Sequence, residues 1–400
     1  MIPFSPPRID QKIIDEVTLA LTSGWITTGP KTKLFERKLE AYTNARRVFC
    51  CNANANGLEL FMRWLDVGPG DEVIIPAYTY CATATIVIHL GATPVMVDVR
   101  EDFTIDPEKV EAAITAKTKA IVPVDLGGLP ADYPALWAIV NRNKTQFSPT
   151  SEAQKALGRI ALVTDAAHSV GAMINGEKLG NQADAMVFSF HAVKNLTTAE
   201  GGAVCLNLPK TIDCDEVYTW LNTRSLHGQS KDALAKTQAG GWEYDVVEAG
   251  WKCNMTDLQA AIGLVELERY DADTMIKRQV VAEAYQNAFS QQKWALCPVL
   301  TDKVRTTSYH LYLLRIRGID RPKRDAIIQS IFDGGVSVNV HYKPLPLMTA
   351  YESRGYKMDD YPVSKMLWES EISLPIFYDI TEEQIQKVIS VVTSAVVSHL

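Results

Sequence analysis

The chain has 400 residues, 47% of them hydrophobic and 22% charged, and a formal net charge of −7 at neutral pH. That apolar content supports a sizeable core in two domains, or in one large domain with a smaller companion, and a mild acidic balance without a long basic run argues against a nucleic-acid partner. The seven cysteines are odd in number and scattered without metal-ligand spacing, which suits buried reduced thiols in a cytosolic protein. The start, MIPFSPPRIDQK, lacks the charged and apolar regions of a signal peptide. No apolar run approaches the ~20 residues that span a bilayer, so the expectation is a soluble cytoplasmic protein with no membrane partner.

Ile9, Ile13, Val17 and Leu21 recur at helical spacing and predict an amphipathic helix over about 10–22. Residues 23–30, with two glycines and a proline, break it, and a second helix over 31–42 turns Leu34, Phe35, Leu39 and Tyr42 inward. A strand over 48–51 places Cys50 and Cys51 in an apolar run, a packing feature before a redox one, and Asn52–Asn56 leads into a helix through Leu65. The rhythm continues with strands over 72–75, 94–97, 120–124, 160–164, 185–190 and 203–206, and helices over 82–90, 107–116 and 134–141. Strands apolar almost throughout, alternating with helices, predict an α/β fold with a mostly parallel sheet sandwiched by helices, whose ligands sit beyond the carboxyl ends of the strands. The polar stretch 141–159 reads as a surface excursion, a lid or contact loop. Helical periodicity over 255–292 leads into a smaller α+β domain with strands over 310–316 and 337–340, a helix over 321–333, and a final helix opened by a Thr381–Gln384 capping box. The expected division is a large domain over 1–265 and a small one over 266–400.

The stretch MVFSFHAVKNLTTAEGGAV, residues 186–204, holds a lysine among apolar residues and glycines. Burial lowers a lysine's pKa and makes the neutral amine a nucleophile that condenses with aldehydes, of which pyridoxal phosphate is the commonest protein-bound example. Alone, Lys194 reads equally well as a surface lysine in a loop. Asp165, at the carboxyl end of its strand and followed by two alanines, suits the carboxylate that keeps a pyridine nitrogen protonated. Alone it reads first as a helix N-cap. His168 either contacts the cofactor or simply packs; Tyr80 either lies over the pyridine ring or belongs to the core. A phosphate needs donors at a helix start, which the backbone N–H groups of Asn54 and Ala55 supply, and Ser189 offers a hydroxyl just past its strand.

The segments SGWITTGPKTKLFE, GPGDEVIIPAYTY, DAAHSVGA, FSFHAVKNLTTAEGG, GWKCNMTDLQAAIG and GVSVNVHYKPL, spread over nearly the whole chain, resemble the DegT/DnrJ/EryC1 family of fold-type I, pyridoxal-phosphate-dependent sugar aminotransferases. The resemblance implies Lys194 as the lysine that carries the cofactor, Asp165 at the pyridine nitrogen, Ser189 at the phosphate, His168 beside the cofactor and Tyr80 stacked on it. It further implies that Asn254 reaches the phosphate of a partner subunit, so that a homodimer shares its active sites, and that His341 lies near the sugar nucleotide. The implied reaction moves an amino group from L-glutamate to a nucleotide-linked keto sugar, in two half-reactions with Lys194 as covalent anchor and general base and acid. Family members with histidine in place of this lysine catalyse dehydration, which Lys194 argues against. Where relatives carry Ser-Gly-Thr or Ser-Ala-Thr, this chain has Ala53-Asn54-Ala55, keeping the backbone donors without the threonine hydroxyl. Two rival readings are transfer to a ketocyclitol and a regulatory cofactor-binding protein without turnover; nothing resembles an appended DNA-binding domain.

Overall fold

Residues 1–231 and 242–400 are described in this computed structural model. The strands run in chain order as β1 (Arg47–Cys51), β2 (Glu72–Pro76), β3 (Thr93–Val97), β4 (Thr118–Ile121), β5 (Ala161–Asp165), the two-residue β6 (Met173–Ile174) and β7 (Glu177–Lys178), β8 (Ala185–Ser189) and β9 (Gly202–Leu206). Seven of them form the main sheet in the order β1-β9-β8-β5-β4-β2-β3. All neighbours from β8 through to β3 are parallel, and β9 runs antiparallel to both β8 and β1. This is the mostly parallel α/β sheet that the apolar strands predict. Side chains alternate across it: Phe49 and Cys51 enter one core with Leu58, Val73 and Val87, while Val48 and Cys50 enter the other with Phe35, Ile74 and Phe188. The adjacent thiols of Cys50 and Cys51 are both buried and free, as packing residues.

Helix α1 (Gln11–Thr22) buries Ile13 and Ala20, but Ile9, Ile14, Leu19 and Leu21 are exposed on this chain. In α2 (Pro30–Thr43), Leu34 is exposed against expectation and Glu36 is buried instead. The helix is rotated because the Glu36 carboxylate accepts bonds from Cys50 N at 3.0 Å and Tyr218 Oη at 2.9 Å, a polar anchor that hydrophobic periodicity does not register. Two further helices, α3 (Asn54–Trp64) and α4 (Ala82–His89), start at the carboxyl edge of the sheet, after β1 and β2.

Farther on come β10 (Ala295–Leu296), β11 (Arg305–Thr306), β12 (Tyr312–Ile316) and β13 (Glu371–Leu374). The order β10-β12-β13 makes a small antiparallel sheet, and β11 joins β6 and β7. The strand expected over 337–340 is not formed; only isolated pairings occur there, Val336 with Ile2 and Asn339 with Ser373. Its place in the sheet belongs to β13, whose four residues are too short a signal to read. Helix Asp257–Arg269 continues through a π-helical turn, Tyr270–Thr274, into Met275–Phe289. The final helix carries the expected Thr381–Gln384 capping box and buries Ile385, Val388, Val392 and Val396.

Residues 141–159 do not form a lid. They are pinned under the far end of α3, where Gln154 Nε2 donates to Leu65 O at 3.1 Å, Ser151 Oγ donates to the same carbonyl at 3.3 Å, and Lys119 Nζ donates to Ser148 O. The parts carrying the two sheets are joined along a seam. The Asp98 carboxylate, just past β3, accepts from Val363 N at 2.8 Å, Ser364 N at 2.9 Å and Ser364 Oγ at 2.6 Å at the start of helix Pro362–Ser370. Leu345 N donates to Ala77 O at 2.9 Å, and Ser308 N to Gly128 O at 3.1 Å. No helix among the described residues is long and apolar enough to cross a membrane.

Candidate active site

A cavity of about 490 Å³ opens at the carboxyl edge of the main sheet, where the start of α3, the ends of β5 and β8 and the loops after them converge with His341 and Tyr342. The close approach is made by small residues. A Cβ on Gly202 would lie 2.6 Å from Ala53 C and Asn54 N, so only glycine in β9 lets α3 begin this near the sheet.

Lys194 follows β8 in a loop closed by Phe190 N to Gly201 O at 2.8 Å and Thr198 N to Phe190 O at 2.9 Å. A Cβ on Gly201 would meet Thr198 Oγ1 at 2.2 Å, which explains half of the Gly-Gly pair and Gly202 the other half. The Lys194 amine lines the cavity and makes no hydrogen bond to the described residues. Burial pushes its pKa down to about 8, with the Asp165 carboxylate pulling the other way. Asp165 is the last residue of β5; burial raises its pKa, opposed by Thr83, the Ala167 amide, Lys194 and Asn54. Its Oδ2 accepts from Thr83 Oγ1 at 2.8 Å and its Oδ1 from Asn54 Nδ2 at 3.2 Å. Asn54 therefore acts through its side chain as well as its backbone, bonding Val187 O at 2.6 Å too.

His168 is buried, and burial holds its pKa well below the usual range, with Lys194 and His341 adding to the effect. Its Nδ1 accepts from Gly127 N at 3.1 Å, which leaves the proton on Nε2, 3.1 Å from Tyr342 Oη. Packing and cavity contact thus coexist. His310 lies against it with ring centroids 4.4 Å apart, and its Nδ1 meets Asn195 Oδ1 at 2.8 Å, the residue next to Lys194. The buried guanidinium of Arg278 holds the carbonyls of Tyr309 at 3.1 Å and His310 at 2.8 Å, fixing the turn in which Tyr309 adopts φ 54°.

Ser189, Asn54 and Ala55 line one end of the cavity together. The residue before α3, Ala53, has no capping side chain, so the first amides of the helix stay available to an anion. Tyr80 is not a core residue: it is 55% exposed at the rim, its ring 5.7 Å from that of Tyr342. Asn254 does not line the cavity of its own chain; its Nδ2 donates to Thr28 Oγ1 at 2.6 Å and its Oδ1 accepts from Lys252. His341 lines the cavity wall opposite α3, with Phe4 stacked on its ring at 5.4 Å.

The model of the DegT/DnrJ/EryC1/StrS aminotransferase family matches residues 7–393. The chain belongs to this family. It is 35% identical over 402 aligned positions to the spore coat polysaccharide biosynthesis protein SpsC of Bacillus subtilis (strain 168), covering 99% of this chain and 97% of that one. Among solved structures it superposes on a putative sugar aminotransferase of Streptococcus pneumoniae, Spr1654 in its PMP form, with TM-score 0.97, 44% identity and full coverage of both chains. Helicobacter pylori PseC, an aminotransferase of pseudoaminic acid biosynthesis, follows with TM-score 0.87 and 26% identity over 99% of each chain.

This sugar aminotransferase uses pyridoxal phosphate, and the cavity suits it on its own chemistry. It has an unpartnered amine for the aldehyde, a buried carboxylate for the ring nitrogen, and a free helix start with a serine for the phosphate. Sequence reasoning on the aminotransferase missed Thr83, Asn195, His310 and Tyr342. Tyr342 stood in the family segment GVSVNVHYKPL beside His341, and Thr83 one helical turn after Tyr80, so both had a local signal. Asn195 likewise stood in the segment FSFHAVKNLTTAEGG next to Lys194, whereas His310 had no local signal, because what defines it is its contact with Asn195 across 115 residues.

Proposed function

We propose that this enzyme transfers an amino group from L-glutamate to a keto sugar carried on a nucleotide, as a cytoplasmic homodimer with shared active sites serving polysaccharide biosynthesis. One observation carries the reading: the Lys194 amine, unbonded and pushed down to about 8 by burial, shares the cavity with the buried carboxylate of Asp165. Pyridoxal phosphate, when bound, supplies the electron sink for breaking a C–H bond of the amino donor. Lys194 holds the cofactor covalently and, once released, carries the proton as base and then as acid. Asp165, oriented by Thr83 and Asn54, keeps the ring nitrogen protonated. Ser189 and the amides of Asn54 and Ala55 bind the phosphate without the threonine hydroxyl usual at residue 55, so Asn254 of a second copy matters more. His168 and Tyr80 flank the ring. His341, from the part spanning 266–400, faces the sugar, while 1–265 holds the cofactor.

The exposed apolar residues of α1, Leu19 and Leu21 at 59% and 53%, together with Ile26 at 50%, support a second copy covering that face. Borohydride reduction followed by peptide mapping should place the pyridoxyl group on Lys194; labelling of another lysine overturns the assignment. Enzyme loaded with pyridoxamine phosphate should be discharged by a nucleotide-linked keto sugar in a panel that also holds free ketocyclitols. Discharge by the cyclitols alone would overturn the nucleotide.

A further inference from the structure

Glu371 opens β13, and Ser373, two residues on, projects from the same face of the strand; both are fully buried. Ser373 Oγ lies 2.5 Å from Glu371 Oε1 and 2.8 Å from His341 Nδ1, and the backbone N–H of His341 donates to Glu371 Oε2 at 3.0 Å. The chain is thus closed on itself, from carboxyl group to hydroxyl to imidazole, and ends at the cavity. A serine hydroxyl has one proton and here has two neighbours, so it donates to one and accepts from the other. An ionised Glu371 only accepts: Ser373 donates to it, and the imidazole proton must sit on Nδ1. A neutral Glu371 donates to Ser373, which then donates to Nδ1, and the imidazole proton moves to Nε2. The Nε2 atom has no partner among the described residues, and the ring lines the cavity.

We propose that Glu371 and Ser373 are positioning residues that set the tautomer of His341, and thereby decide whether its free Nε2 donates or accepts a hydrogen bond toward the keto sugar. The proposal rests on the function proposed above for its substrate. Charged and titratable groups surround the relay without neutralising it. From helix Arg321–Asp333, Arg324 donates to the carbonyls of Trp368 at 2.7 Å and Glu371 at 3.4 Å and pairs with Asp325. On β12, Arg315 sits opposite Glu371 in register but pairs with Glu101 at 3.1 Å. Tyr78 presents a buried hydroxyl with no hydrogen-bond partner among the described residues, Tyr342 is bonded to His168, and Lys194 faces His341 across the cavity. No cation among the described residues bonds the Glu371 carboxylate itself, and burial outweighs the Ser373 hydroxyl, the His341 amide and the Arg324 charge, pushing it up to about 8. Burial, with Lys194, takes His341 down to about 3, so its ring is neutral. Below the value for Glu371 the acid is neutral and Nε2–H donates to a sugar oxygen; above it the carboxylate forms and Nε2 becomes an acceptor.

NMR of cofactor-loaded enzyme carrying nitrogen-labelled histidine, with no sugar present, tests the relay directly. His341 Nε2 should give a protonated, pyrrole-type signal below about pH 8 and an imine-type signal above it. Glu371→Gln, whose amide donates to Ser373 as the neutral acid does, should hold the pyrrole-type signal throughout, and Ser373→Ala should uncouple the ring from pH. In the sugar half-reaction KM should rise about tenfold across the transition, the worth of one hydrogen bond. Glu371→Gln should abolish that rise; the amino-donor half-reaction is the internal reference. A wild-type Nε2 signal of one type throughout, or a transition that survives Ser373→Ala, overturns the relay. The expected NMR transition without turnover of any nucleotide-linked keto sugar leaves the relay standing and removes the substrate assignment instead.

Discussion

The cavity has two walls, and burial acts on them differently. On the main-sheet wall, Asp165 and Lys194 are each driven toward neutrality by desolvation, yet each also resists the other's shift through its opposite charge. The opposite wall carries His341 with Glu371 behind it, and desolvation there meets no hydrogen-bonded counter-ion among the described residues. The same dry surroundings therefore produce a charge-balanced pair on one side and neutral hydrogen-bonding groups on the other. On the proposed function, proton transfer would fall where charge is compensated, and recognition of the sugar ring where it is not.

Removing the amine breaks the comparison most severely. Lys194→Ala should bind cofactor without a covalent link and lose turnover by on the order of ten-thousandfold, since on the proposed function one side chain supplies both attachment and proton transfer; steady-state rates and borohydride trapping check it. Asp165→Asn keeps the shape and deletes the charge, and should cost on the order of a hundred- to a thousandfold in kcat. Near-normal turnover in that variant would leave the carboxylate only as a turn-forming residue. Asn254→Ala should weaken cofactor retention on dialysis by about ten- to a hundredfold, the loss of one charge-assisted bond to phosphate. Mixing it with Lys194→Ala protein should restore activity if Asn254 serves the neighbouring site, because one site of the mixed dimer then carries neither defect. The smallest effect is the sharpest. The Lys194 pKa is lowered, so the neutral, reactive amine predominates above about pH 8, and cofactor uptake by apoprotein should speed up through that value. Asp165 raises the lysine's pKa, so Asp165→Asn should move the midpoint of uptake to lower pH; an unmoved midpoint would mean that the two groups do not sense each other.

The two walls also differ in how much the sequence disclosed. Asp165, Ser189 and Lys194 stand at or just after strands whose apolar runs are plain, and the rule that ligands lie beyond carboxyl ends points to them. Glu371 and Ser373 sit on a four-residue strand with an acid and a hydroxyl on its buried face, a pattern that resembles a polar surface segment until the partner atoms are seen. Leu34 and Glu36 exchange their expected places for a similar reason: the bond from Cys50 N that draws the glutamate inward lies outside its own helix. The polar run 141–159 suggested a lid or a contact loop because polarity reports exposure; that it is the contact, anchored to Leu65, depends on where α3 ends in space.

The seam at Asp98 bears on how a new substrate preference could arise. The Asp98 carboxylate accepts three bonds from the start of helix Pro362–Ser370, and with separate ties at Ala77 and Gly128 the two walls are joined at three places. These ties make the spacing of the walls a gauge written into the fold itself. Exchanging Tyr80, a rim residue that takes part in none of these three ties, would change the opening and, on the proposed function, one flank of the cofactor ring, while leaving the gauge untouched. A substitution at Asp98, remote from the reacting atoms, would instead lose the gauge for every substrate at once.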